Sequence, residues 1–140
     1  MKEVILLDTG PLVAFLNRAD RFHDWAKAQW ERVSPPMLTC EAVMTEACYL
    51  LRNFPGGSQA VIELVNRAVI QIAFKLEGEI VSVGKLLGQY ADVPISLADA
   101  CLVRMAEQHS KSEVLTLDRD FHIYRRHGRH VIPITTPHKI

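Results

Sequence analysis

Short runs of Val, Ile, Leu and Met, each the length of one strand, alternate along this chain with longer stretches whose apolar residues recur at helical spacing. The runs are Val4 to Leu7, Met37 to Thr39, Ile80 to Val83, Val114 to Leu117 and Val131 to Ile134. Helical patterns cover 11–17, 22–33, 40–53, 57–74, 84–91 and 96–109, with a short one after 118. This alternation predicts an α/β fold in three layers, a central and mostly parallel sheet flanked by helices. Parallel strands need a crossover to return, and continuous apolar runs must be covered on both faces. With 140 residues, 49% of them hydrophobic, there is apolar material for one ordinary core, so a single domain over 1–140 is expected.

Open parallel sheets place their working site beyond the carboxyl ends of the strands. Two runs end in an acid at that edge: Val4-Ile5-Leu6-Leu7-Asp8 and Val114-Leu115-Thr116-Leu117-Asp118. Asp118 also has the position of an N-cap for a helix running to Arg126 and closed by Gly128. Asp8 is harder to assign to capping alone, because Gly10 before Pro11 already makes a helix start. Two further acids lie on helical patterns. In Ser96 to Glu107, Asp99 shares the inward face with Leu102, Val103 and Ala106, opposite Arg104, Glu107, Gln108 and Lys111. Ser96 and Asp99 also have capping-box spacing. In 40–53, Glu46 shares a stripe with Ala42, Val43, Tyr49 and Leu50 and is expected to face inward, whereas Glu41 falls on the solvated side with Thr45 and Arg52.

Four carboxylates brought together would raise one another's pKa values and force the site open unless a cation neutralised them. All-oxygen ligation selects a hard ion, Mg²⁺ or Mn²⁺. A metal held this way activates water and stabilises charge on a phosphodiester, so the implied reaction is hydrolysis of a nucleic acid strand.

In this order and spacing, Leu7-Asp8-Thr9-Gly10-Pro11-Leu12, Thr45-Glu46-Ala47, Leu97-Ala98-Asp99-Ala100 and Thr116-Leu117-Asp118-Arg119-Asp120-Phe121 resemble the PIN-domain ribonucleases, in particular their VapC toxins, over essentially the whole chain. The resemblance implies that Asp8, Glu46, Asp99 and Asp118 form the catalytic, metal-binding site, with Thr9, Thr116 and Asp120 just behind it. Asp120 is also a candidate to take or share the fourth position. It further implies a Mg²⁺- or Mn²⁺-dependent endoribonuclease, frequent homodimers and, in the toxin branch, inhibition by a co-encoded antitoxin. A non-toxin nuclease of RNA maturation and a catalytically silent binding module are the alternatives. Asp8-Thr9-Gly10 also matches the Asp-Thr-Gly of aspartic proteases, but those are almost all-β and bring two such loops together.

Sixteen basic and sixteen acidic residues leave no net charge, so any affinity for RNA must be local. From Arg119 onward, Arg119, Arg125, Arg126, Arg129 and Lys139 face one acid, Asp120, and four of the six histidines lie there. This stretch, with Arg119, Arg125, Arg126 and Arg129, is expected to border the acidic site and hold the RNA backbone. No apolar run approaches the roughly 20 residues that span a bilayer, and no secretory signal is visible, so a cytoplasmic protein is expected. Cys40, Cys48 and Cys101 have neither zinc nor disulfide spacing and are expected to act as small buried hydrophobes. Trp25 and Trp30 are expected to pack into the core. A dimer or antitoxin groove would be sought on the 22–33 and 57–74 segments.

Overall fold

The structure, a computed structural model, describes residues 3–138. Five parallel strands form its sheet: β1 (Val4–Leu7), β2 (Met37–Thr39), β3 (Ile70–Ile72), β4 (Ser112–Leu115) and β7 (Ile134–Thr135), in the order β3-β2-β1-β4-β7. Helices α1 (Thr9–Leu16), α2 (His23–Arg32), α3 (Glu41–Leu50), α4 (Gly57–Asn66), α5 (Ile80–Gln89) and α6 (Leu97–Gln108) flank it. Leu6 and Leu7 of β1 and Val114 and Leu115 of β4 are fully buried, as central strands covered on both faces must be. The chain order reverses between β1 and β4, which pair from Val4↔Ser112 to Leu7↔Leu115. That reversal creates a crevice at their carboxyl ends. Asp8 follows β1 directly, and the segment carrying Thr116 and Asp118 follows β4.

Several local expectations are corrected. Ile80 to Val83 opens α5 instead of forming a strand: Ile80 and Val81 are exposed, and burial falls on Val83, Leu86 and Tyr90, which is helical spacing. The helical pattern over 57–74 ends at Asn66, where a turn with Ala68 at φ 59° lets the chain enter β3. The run Val131 to Ile134 is divided at Pro133, which has no N–H to give a ladder, into β6 (His130–Val131) and β7. Beyond Asp118 there is only a 3-10 turn, Arg119–His122. The chain then forms an antiparallel hairpin of β5 (Arg125–Arg126) with β6, turned by His127 and Gly128 at positive φ.

Trp30 stacks on Phe15 at 4.2 Å, and Trp25 packs half-buried against the core, as expected. Cys40 and Cys101 are buried and all three cysteines are free. Among the described residues no helix is long and apolar enough to cross a membrane.

Two glycines make opposite predictions. A Cβ on Gly57 would stand 2.5 Å from the Leu51 carbonyl oxygen and 2.9 Å from Leu51 Cβ, so the turn between α3 and α4 admits no side chain there. Gly57→Ala is expected to cost about 1–3 kcal/mol, as overpacking does. Gly84, inside α5, has open space around its Cβ position, and Gly84→Ala is expected to add about 0.5–1 kcal/mol through helix propensity. Denaturant melts of both variants check the signs.

Candidate active site

Asp8 ends β1 and caps α1. Its Oδ1 accepts the Thr9 N–H at 2.8 Å and its Oδ2 accepts the Thr116 hydroxyl at 2.6 Å. The helix thus begins two residues before the Pro11 start the sequence suggested, and Asp8 does cap it, with a carboxylate that still faces the crevice. Thr116 Oγ1 in turn accepts the Asp118 N–H at 2.9 Å, and Asp118 Oδ1 accepts the Asp120 N–H at 2.8 Å. One chain of hydrogen bonds therefore runs from the end of β1 through the loop after β4. Gly10 makes the approach possible, since a Cβ there would meet Leu117 at 3.0 Å.

Asp99 lies in the first turn of α6. The Ser96 hydroxyl accepts its N–H at 3.0 Å, which caps the start of α6. Capping is only half of its environment, because Asp99 Oδ2 also accepts the Tyr124 hydroxyl at 2.9 Å. Tyr124 was not among the residues singled out from the sequence. The available signal was its i, i+3 spacing from Phe121, which marks both as inward-facing.

Glu46 departs from its expected setting. It is exposed, and the buried stripe of α3 runs through Val43, Met44, Ala47 and Leu51. It faces the crevice instead of the core, and its Oε2 accepts the Thr9 hydroxyl at 3.0 Å. Glu41 is exposed, as expected.

Asp8, Glu46, Asp99, Asp118 and Asp120 together line one open cleft of about 470 Å³, with Thr9, Gly10, Ser96 and Leu50 also on its walls. Burial pushes the Asp8 carboxyl up to about 7 against the lowering effect of its two hydrogen bonds, and the charges of Asp99 and Asp118 push the same way. Burial, then Asp118, also raises Asp99, with the Tyr124 hydrogen bond opposing. Asp120 is raised by burial and by Asp118.

Among the described residues, ion pairs join Arg32 to Glu113, Arg67 to Glu63 and Arg104 to Glu79 and Glu107, and none reaches the cleft. An all-oxygen, strongly acidic cleft that no described residue pairs with a positive charge fits a hard divalent cation. No three of the described His, Cys, Asp and Glu side chains close on one point as a finished metal cage. An ion that keeps several of its waters needs only one or two direct carboxylates.

None of Arg119, Arg125, Arg126 and Arg129 lines the cleft itself. The Arg125 guanidinium donates to the carbonyls of His122, Ile123 and Tyr124, and Arg126 reaches the Ala106 carbonyl at 3.4 Å, so both hold the hairpin against its surroundings. Arg119, between Asp118 and Asp120, and Arg129 are exposed. Lys139 lies outside the described residues.

A parallel sheet with its acidic cleft at the β1/β4 reversal defines the class of protein, and sequence comparison agrees. The PIN domain family profile matches residues 5–126, and the chain belongs to that family. It is 25% identical over 117 residues to ribonuclease VapC26 of Mycobacterium tuberculosis, covering 82% of this chain and 87% of that protein. The crystal structure of Mycobacterium tuberculosis VapC20, a toxin that cleaves the sarcin-ricin loop, superposes with a TM-score of 0.73 at 23% identity, over 92% of this chain and 99% of that one. At that identity the superposition speaks for the fold.

Proposed function

We propose that this protein is a Mg²⁺- or Mn²⁺-dependent endoribonuclease, and that it is the toxin of a toxin–antitoxin pair, held inactive by a co-encoded antitoxin and working as a homodimer. The observation that carries the nuclease reading is the cleft itself, five carboxylates facing one space with no cation among the described residues paired to them. The toxin reading extends the sequence likeness to ribonuclease VapC26, and the fold shared with the toxin VapC20 is compatible with it.

When bound, a divalent ion supplies positive charge to the phosphodiester and lowers the pKa of water. Asp8, Asp99 and Asp118 are the residues that would hold it. Glu46, exposed on the opposite wall and tied to Thr9, orients the attacking water. Thr9 and Thr116 fix the carboxylates by hydrogen bonds, and Tyr124 does the same for Asp99. Asp120, beside Asp118 and on the cleft wall, shares the fourth acidic position.

The test is cleavage of a mixed RNA pool by purified protein with Mg²⁺, Mn²⁺ or chelator. Cleavage that survives the chelator unchanged would refute the metal-dependent reading. Growth arrest on induced expression, relieved by the adjacent open reading frame, separates a toxin from a nuclease of RNA maturation.

The basic segment yields a sharper prediction. Because Arg125 is committed to three carbonyls, Arg125→Ala is expected to loosen the segment after the 3-10 turn and lower Tm, with the salt dependence of RNA binding unchanged. Arg119→Ala is expected to leave Tm alone and reduce the slope of log affinity against log salt by about one. Binding measured at several salt concentrations decides it, and the reverse pattern would move the phosphate contact to Arg125.

A further inference from the structure

The α3 wall of the cleft carries more than Glu46. Tyr49 and Leu50 follow it by three and four residues, so all three lie on one face of the helix, and Leu50 lines the cleft. Tyr49 is nevertheless 61% exposed, a large aromatic ring one helical turn beyond Glu46, which lines the acidic cleft. The Arg52 guanidinium carbon lies 3.9 Å from the ring centroid, and Arg52 Nη1 donates to the Tyr49 carbonyl at 2.7 Å. The guanidinium is therefore held over the ring by a main-chain hydrogen bond at the end of α3. Ring and cation form one ordered surface whose geometry is set before any ligand arrives.

We propose that Tyr49 and Arg52 form a stacking platform for an unpaired base of the RNA, adjacent to the phosphodiester presented to the acidic cleft. The proposal rests on the ribonuclease reading above. Unpaired bases are held by stacking on aromatic rings and on guanidinium planes, and such contacts tolerate any base because every base has a π face. Five carboxylates repel a polyanion, so a substrate needs an attractive contact beside the cleft as well as one within it. Arg52, just beyond the end of α3, puts a positive charge against the Tyr49 ring, beside the wall that carries Glu46. The platform selects single-stranded RNA over duplex, since a paired base cannot leave its stack without a cost.

The test uses the cleavage-deficient Asp8→Asn protein and a short single-stranded oligoribonucleotide carrying a fluorescent adenine analogue, whose emission is quenched on stacking. Tyr49→Ala in this background is expected to weaken binding about tenfold or more and to lose the quenching. Tyr49→Phe restores both. Tyr49→Leu, apolar but not planar, behaves like the alanine variant. Arg52→Lys, which keeps charge and loses the plane, retains only part of the quenching. In the otherwise unmodified enzyme, Tyr49→Ala raises KM with kcat retained.

Leucine binding as well as phenylalanine would overturn the proposal, as would equal weakening against a duplex of the same sequence. Loss of self-association by Tyr49→Ala in sedimentation, with RNA binding intact, would assign the face to a second copy of the chain and likewise overturn it. Cleavage by the unmodified protein, and its loss in Asp8→Asn, tests the ribonuclease reading separately. A working nuclease with an indifferent Tyr49 fails this proposal alone.

Discussion

Asp8→Asn is expected to abolish RNA cleavage while making the metal-free protein more stable at neutral pH. The loss of activity follows from position: Asp8 is the one acid that both ends the central strand and is bonded to the loop after β4. Removing partners one step behind a metal ligand already costs about 10–100-fold in metal affinity or activity, so loss of a direct ligand should exceed a hundredfold.

The stability gain follows from burial. The folded carboxyl is pushed up to about 7 from its ordinary 3.8, because it is buried next to other acids. Between those two values the folded state binds more protons than the unfolded chain, so stability falls as pH rises through that window and the full penalty is present above it. At about 1.4 kcal/mol per decade of pH, the penalty is on the order of a few kcal/mol. Asn keeps an oxygen for the Thr9 N–H and carries no charge, which removes it. The check is a set of melts at pH 5 and pH 7.5 in chelator. Unmodified protein should lose stability between the two and regain it with Mg²⁺, and the variant should lose less and regain little. A variant that melts below the unmodified protein at pH 7.5 in chelator would show that the charge is neutralised by some other means.

The same residue shows what was legible without coordinates. A four-residue run of Val, Ile and Leu ending in Asp declares a buried central strand with an acid at its carboxyl end, and β1 with Asp8 is that arrangement. The inward face of α6 was equally readable, since Asp99 is flanked by Leu102, Val103 and Ala106 and all four are buried. Glu46 shows the limit of a helical wheel. A wheel divides a helix into faces, but it cannot distinguish a core from an open cleft, and the Glu46 stripe with Tyr49 and Leu50 belongs to the cleft.

Strand β3 was hidden because three residues give too short a run to compete with the helical pattern before it. Only the positive φ of Ala68, a property of the folded backbone, separates the two. Ile80 to Val83 misled in the opposite sense, because β-branched residues at a helix start look like a strand until the next turn is counted. The basic C-terminal segment was visible as charge, but the commitment of Arg125 to main-chain carbonyls arises from how the hairpin folds back. Charge counting carries no information about that.

Asp99 and Tyr124 set the second large effect. Asp99→Asn keeps a side-chain oxygen to accept the Tyr124 hydroxyl and loses only the charge. Asp99→Ala removes that acceptor and leaves the buried Tyr124 hydroxyl unpaired, at a cost of about 1–3 kcal/mol. Both variants are expected to lose cleavage to the same extent, again beyond a hundredfold, while only the alanine variant melts lower. Unequal losses of activity that followed the melting temperatures would mean that Asp99 acts only by holding the fold together.

Tyr124→Phe completes the separation. The ring packs at 5.1 Å against both Tyr90 and Phe121, and phenylalanine preserves that packing while removing the hydroxyl that donates to Asp99 Oδ2. Burial, then the Asp99 charge, raises the phenol pKa, so the hydroxyl keeps its proton and acts on Asp99 purely as a donor. Its loss is expected to cost about 1 kcal/mol of stability and to lower Mn²⁺ affinity about 10–100-fold, because the carboxylate is no longer held toward the cleft. Calorimetric titration with Mn²⁺ reads the second effect without reference to cleavage. Unchanged affinity would confine Tyr124 to packing and leave Asp99 positioned by Ser96 alone.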